Sequence, residues 1–120
     1  MATYFNDSEF RKCSPSCSIN DMDPEFMATL DRIREKAGIP LVLSSAYRSS
    51  AYDKSKGRSG TGAHTEGRAV DIRCNTDSNR YKIITAALAC GVTRIGIGKT
   101  YIHIDTSRKL SRGVVWHYYG

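Results

Sequence analysis

The sequence predicts an α+β domain in which two principal helices pack against a mainly antiparallel sheet, and three observations lead there. Two stretches place apolar residues at helical spacing between a capping residue and a glycine. Five short runs rich in Val, Ile, Leu and Tyr lie between turn-forming residues. The last three of these runs follow one another across glycine-containing turns.

A chain of 120 residues buries a core without needing metals or disulfides. Its 40% apolar and 25% charged content fits a soluble globular protein and argues against disorder. No repeat, low-complexity tract or linker divides it, so residues 1–120 are one domain. No apolar run approaches the roughly 20 residues that span a bilayer. Residues 1–10 have neither a basic nor an apolar stretch, so no secretory signal is expected. The expectation is synthesis in the cytoplasm, with some other route to any site of action beyond it.

Residues 1–20 are polar and predict an irregular N-terminal segment, with a turn at Ser14-Pro15-Ser16. Asp23 suits an N-cap and Pro24 a first helical position; Phe26, Met27, Leu30, Ile33 and Ala37 then share one face, and Gly38 ends the helix. Residues 40–45 predict a strand delivering Ser45-Ala46-Tyr47-Arg48 at its end. Residues 49–63, rich in Ser, Gly, Lys and Thr, predict a long mobile loop leading into His64. In residues 68–72, Val70 and Ile72 alternate with Ala69 and Asp71. A second helix starts at Thr76 or Asp77, carries a stripe of Tyr81, Ile84 and Leu88, and ends at Gly91. Residues 93–97, 101–106 and 114–118 supply the remaining strands.

The chemistry concentrates in His64-Thr65-Glu66-Gly67-Arg68-Ala69-Val70-Asp71 and Tyr101-Ile102-His103-Ile104-Asp105. With Ile102 and Ile104 in the core, Tyr101, His103 and Asp105 point the opposite way. A strand bearing Asp71 beside one bearing His103, with His64 closing from the Gly67 turn, gives three ligands and one open position. That is the layout of a catalytic zinc site.

These motifs, with Ser45-Ala46-Tyr47-Arg48 ahead of them, resemble those of the D-alanyl-D-alanine peptidases, zinc enzymes that share a fold with Hedgehog signalling domains. The resemblance covers about residues 23–116 and is strongest to small, often phage-encoded members that cleave peptidoglycan stem peptides. It implies zinc bound by His64, Asp71 and His103, and Arg48 facing the substrate carbonyl. Two positions depart from the family pattern. Thr100 stands where many members carry an acidic general base, which leaves Asp105 as the first substitute and Glu66 as the second; an orienting role behind a ligand is the alternative for Asp105. Gly62 stands where many members place a serine, so an endopeptidase is expected rather than a strict carboxypeptidase. A non-catalytic zinc-binding module of the same fold is the alternative function.

Eighteen basic and 12 acidic residues give a net charge of +6, which suits an anionic cell-wall polymer. The basic residues are scattered, so nucleic acid is not an expected partner. Peptidoglycan is, acted on in the cell wall or periplasm by a monomer. Cys13, Cys17, Cys74 and Cys90 allow three disulfide pairings that the sequence does not choose between, and their spacing fits no zinc knuckle. Gly98-Lys99-Thr100 lacks the upstream glycine of a phosphate loop, and there is no serine-hydrolase elbow.

Overall fold

The elements run α1 (Asp7–Arg11), α2 (Pro24–Ala37), β1 (Leu43–Ser45), α3 (Ser50–Ser55), β2 (Ala69–Arg73), α4 (Asp77–Ala89), β3 (Arg94–Ile97), β4 (Tyr101–Asp105) and β5 (Val114–His117). Short 3-10 turns lie at Ile19–Asp21 and Ala63–Glu66. The structure is a computed structural model that describes residues 4–60 and 62–118.

α2 forms where its caps dictate. The Asp23 carboxylate accepts the Phe26 N–H at 3.0 Å, Pro24 follows, and Gly38 closes the helix at φ 69°. The expected face, Phe26, Met27, Leu30, Ile33 and Ala37, is buried throughout. α4 starts at a Thr76 cap that accepts from the Asn79 amide at 3.2 Å. Its buried face differs from the expected stripe: Ile83, Ala86 and Ala87 face inward, Ile84 is partly buried, and Tyr81 and Leu88 are exposed. The two alanines allow close approach to neighbouring elements, and that contact rather than the largest side chains sets the phase of the helix.

The sheet order is β1-β2-β4-β3-β5, antiparallel except for the parallel β3–β5 pair at the edge. Val70, Ile72, Ile102 and Ile104 are completely buried on one face and join Phe10, Phe26, Leu30, Ile33 and Ile83 in one core. The other face carries the polar row. Asp71 lies opposite His103, His103 opposite Gly96, and Gly96 opposite Trp116, so one straight row crosses four strands.

Two segments hold more structure than their composition predicts. Within residues 1–20, a capping box of Asn6 and Glu9 supports α1, and Phe10 enters the core. Residues 49–63 contain α3, where the Ser49 hydroxyl caps Tyr52 N–H at 3.0 Å and Ser50 Oγ donates to the Gly60 carbonyl at 3.0 Å. Both helices are too short to show periodicity, and local capping makes them. Among the described residues no helix is long and apolar enough to cross a membrane.

Candidate metal and active site

Gly67 shapes the entry to the site. It takes φ 71°, and a Cβ there would lie 2.6 Å from the Asp21 carbonyl oxygen, so glycine alone lets this turn close against the chain ahead of α2. Arg68, 7% exposed, secures the same junction. It donates to Asp23 at 2.7 Å, Glu25 at 2.8 Å and the Thr106 carbonyl at 2.8 Å, tying the start of α2 to the ends of β2 and β4.

The turn so fixed presents His64, which is buried. His64 Nδ1 lies 2.5 Å from the Ala46 carbonyl oxygen, which can only accept, so Nδ1 carries the proton and Nε2 offers a lone pair. That Nε2 is 3.5 Å from Asp71 Oδ1. The same oxygen is 2.9 Å from His103 Nδ1, while His103 Nε2 is 2.6 Å from Asp105 Oδ2. His64, Asp71 and His103 thus direct one atom each to a common point, all within 4.8 Å of one another.

The electrostatics express a crowded anionic pocket. Burial drives His64 below its ordinary pKa, with Asp71 opposing. Burial acts the same way on His103, but hydrogen bonds from its ring to Asp105 and Asp71 outweigh it and hold the imidazolium above its ordinary value. Burial would raise the Asp71 carboxyl, yet its bonds to His103 and His64 keep it well below the usual carboxylate range.

The donors fit a divalent metal. Two imidazole nitrogens and a carboxylate oxygen are a zinc set, and tetrahedral zinc separates its ligand atoms by about 3.3 Å, close to the 2.9 and 3.5 Å found around Asp71 Oδ1. Both imidazoles have their far nitrogens held by an oxygen acceptor, the arrangement that fixes the ring of a metal-binding histidine.

Arg48 comes to the same place. Its amide donates to the His64 carbonyl at 3.3 Å, and its buried Nε has no hydrogen-bond partner among the described residues. The two candidate bases, Asp105 and Glu66, are both engaged in hydrogen bonds. Asp105 is completely buried behind His103; Oδ2 faces His103 Nε2, Oδ1 accepts the Ser107 N–H at 3.0 Å, and Arg94 Nε lies 3.1 Å from Oδ1. Such a carboxylate has no open oxygen for a water. Glu66 accepts from the Ser107 hydroxyl at 2.5 Å and the Arg108 amide at 3.0 Å, bracing the turn after β4 rather than the ligands. Among the described residues no further carboxylate joins the ligand group.

Trp116 also lies beside the site. Its ring centroid is 5.5 Å from that of His103, and the Arg94 guanidinium lies 4.8 Å from the ring. It reaches His103 across Gly96, where a Cβ would meet the Trp116 ring at 2.8 Å and the Tyr118 ring at 2.7 Å. Tyr118 and Tyr101 extend this wall, their centroids 5.4 Å apart. The signal available in the sequence was the bare glycine of Ile95-Gly96-Ile97, which in a strand marks a close approach.

Comparison with known proteins identifies a family and a similar fold. The family model described as Peptidase M15 matches residues 3–105. A solved structure titled L-Ala D-Glu endopeptidase ChiX, from Serratia marcescens, superposes with a TM-score of 0.55 at 16% identity, covering 89% of this chain and 90% of its own. Among curated proteins no sequence match was found.

Proposed function

Since the chain belongs to the peptidase M15 family, we propose that it is a zinc-dependent endopeptidase of the phage-lysin type that hydrolyses peptide bonds in the peptidoglycan stem. The observation that carries this reading is the convergence of His64 Nε2, Asp71 Oδ1 and His103 Nδ1, with the far nitrogen of each imidazole already anchored. Zinc bound by these three residues supplies Lewis acidity, polarising an amide carbonyl and lowering the pKa of water toward about 7.

The remaining roles fall to the chain. Ala46 O and Asp105 hold the two imidazoles in the tautomers that leave a lone pair for metal. We assign Asp105 this positioning role in place of the general base expected for it. Arg48, three residues beyond β1 and with no partner for its buried Nε among the described residues, is suited to the negative charge that builds on a carbonyl oxygen under attack. Trp116 and Tyr118 give one wall of the cleft an apolar surface, and the net charge of +6 favours an anionic wall polymer. Gly62 offers no hydroxyl for a terminal carboxylate, which favours cutting within the stem.

A second reading, a zinc-binding module without turnover, draws on the engagement of both Asp105 and Glu66. One experiment separates the two: incubation with purified peptidoglycan, with and without chelator, and product masses read by spectrometry. Chelator-sensitive release of muropeptides with a new amino terminus inside the stem supports the endopeptidase, and the L-Ala–D-Glu bond is the first to inspect. Bound zinc with no released peptide supports the module. Cleavage that survives complete metal removal refutes both.

A further inference from the structure

All four cysteines are free thiols in the structure, and two of them are brought together. The amides of Cys13 and Cys17 both donate to the Phe10 carbonyl, each at 3.1 Å, so the turn between them wraps the two residues around a single oxygen. Both side chains are buried, at 5% and 6% exposure. Cys13 Sγ donates to the Glu9 carbonyl at 3.4 Å and Cys17 Sγ to the Phe10 carbonyl at 3.7 Å, and the two thiols lie close enough to perturb each other's ionisation in opposite directions. Cys74 instead bonds to the Thr76 carbonyl at 3.6 Å, in the link between β2 and α4.

The pair sits under the strand that serves the site. Ser14 N–H, inside the turn, donates to the Ser44 carbonyl at 3.1 Å. The Tyr47 amide lies near Cys17 and favours its thiolate form. The turn thus grips the segment from Ser44 to Tyr47, whose Ala46 carbonyl holds His64 and which leads into Arg48. The interaction with Cys13, helped by the Tyr47 amide, outweighs burial and holds the Cys17 thiol below its ordinary pKa.

We propose that Cys13 and Cys17 form a dithiol–disulfide modification site that closes outside the reducing cytoplasm and locks the N-terminal turn against the segment carrying Ala46 and Arg48. The oxidant is a small-molecule disulfide such as oxidised glutathione. One cysteine attacks its S–S bond, forming a mixed disulfide and releasing one glutathione thiol. The other cysteine then displaces the second glutathione thiol. The two cysteine protons end on the released thiols, so the protein loses two hydrogens and the reagent gains two. Once the bond is closed, burial of both residues shields it.

The test refolds the full chain from its reduced, denatured state with oxidised glutathione, traps thiols by alkylation under denaturing conditions, and weighs the products. Expected are two alkylated cysteines, Cys74 and Cys90, and a fragment spanning residues 13–17 that is two hydrogens light. The oxidised protein should melt roughly 5–10 °C above the reduced one, a difference that reductant removes. In Cys17→Ser all three remaining thiols take up alkyl, and melting no longer depends on reductant. The Cys74→Ser/Cys90→Ser double variant keeps the dependence. Four alkylated thiols in the refolded wild-type chain would show two permanently reduced core residues and overturn the proposal. A bond that maps to Cys74 or Cys90 would overturn it equally.

Discussion

Replacing Asp105 with Asn separates the two roles open to this residue. The carboxylate accepts from three groups: His103 Nε2 at 2.6 Å, Ser107 N–H at 3.0 Å and Arg94 Nε at 3.1 Å. An amide has one acceptor oxygen, so at least one donor is left facing an NH2 group, and Arg94, largely buried here, loses its counter-charge. Removing one partner of a buried pair costs about 3–5 kcal/mol when nothing replaces it. The remaining amide oxygen reduces this to about 2–3 kcal/mol, or a fall in Tm of roughly 10 °C. A residue that orients a ligand from behind is worth about 10- to 100-fold in metal affinity. The assay is a zinc titration against a competing chelator, run beside peptidoglycan turnover at saturating zinc. Zinc affinity should fall by that factor, and turnover should largely recover once the metal is restored. Unchanged affinity with turnover reduced about a hundredfold or more would make Asp105 a proton-transfer group and refute the reasoning.

Four further outcomes are expected. His64→Ala should lose bound zinc, measured by elemental analysis, and at least about a thousandfold in peptidoglycan cleavage, since the Lewis acid is worth several kcal/mol. Gly67→Ala forces a Cβ to 2.6 Å from the Asp21 carbonyl at φ 71°; strain and clash together should destabilise by about 3 kcal/mol or more in urea unfolding, and a loss under 1 kcal/mol would contradict the close approach. Gly96→Ala should displace Trp116 from His103, seen as a shift in tryptophan emission with a stability loss of about 1–2 kcal/mol and zinc still bound. Acid should act partly through Glu25 and Asp7. Arg68 and Arg108 hold Glu25 below its ordinary 4.5, and the Ile19 amide with Arg11 and Ser18 holds Asp7 below 3.8. The stability these carboxylates add is complete above those ordinary values and lost as pH falls through the lower folded ones, so thermal melts should drop below about pH 4, less steeply in Asp7→Asn.

How much of this was legible in the sequence follows from the range of each interaction. α2 was, because Asp23, Pro24 and Gly38 mark its ends and its apolar face repeats for fourteen residues. The alternation of Val70 and Ile72 against Asp71, and of Ile102 and Ile104 against His103, put the polar residues on one side of the sheet, and the β2–β4 register brings them face to face. α1 and α3 were not legible, since helices of five and six residues are made by single caps and not by a repeat. Alternation also placed Asp105 on the side of His103 correctly, but said nothing of its depth: the Arg94 partner that buries it arrives from β3. Trp116 escaped for the same reason. Its place beside His103 depends on the parallel pairing of β5 with β3, a long-range register that no local pattern encodes.

The row that crosses the sheet divides by origin. Its first two members, Asp71 and His103, sit on central strands locked by the core, whereas Trp116 rides on the terminal strand at the open edge, with Val115 beside it 60% exposed. In the proposed function, the residues that would hold metal and the aromatic residues beside them are therefore supplied by separable stretches of chain. Residues 114–118 can diverge without disturbing the ligands, provided position 96 stays glycine. A graft of this C-terminal strand from a relative with another bond preference is thus the natural unit for reprogramming selectivity.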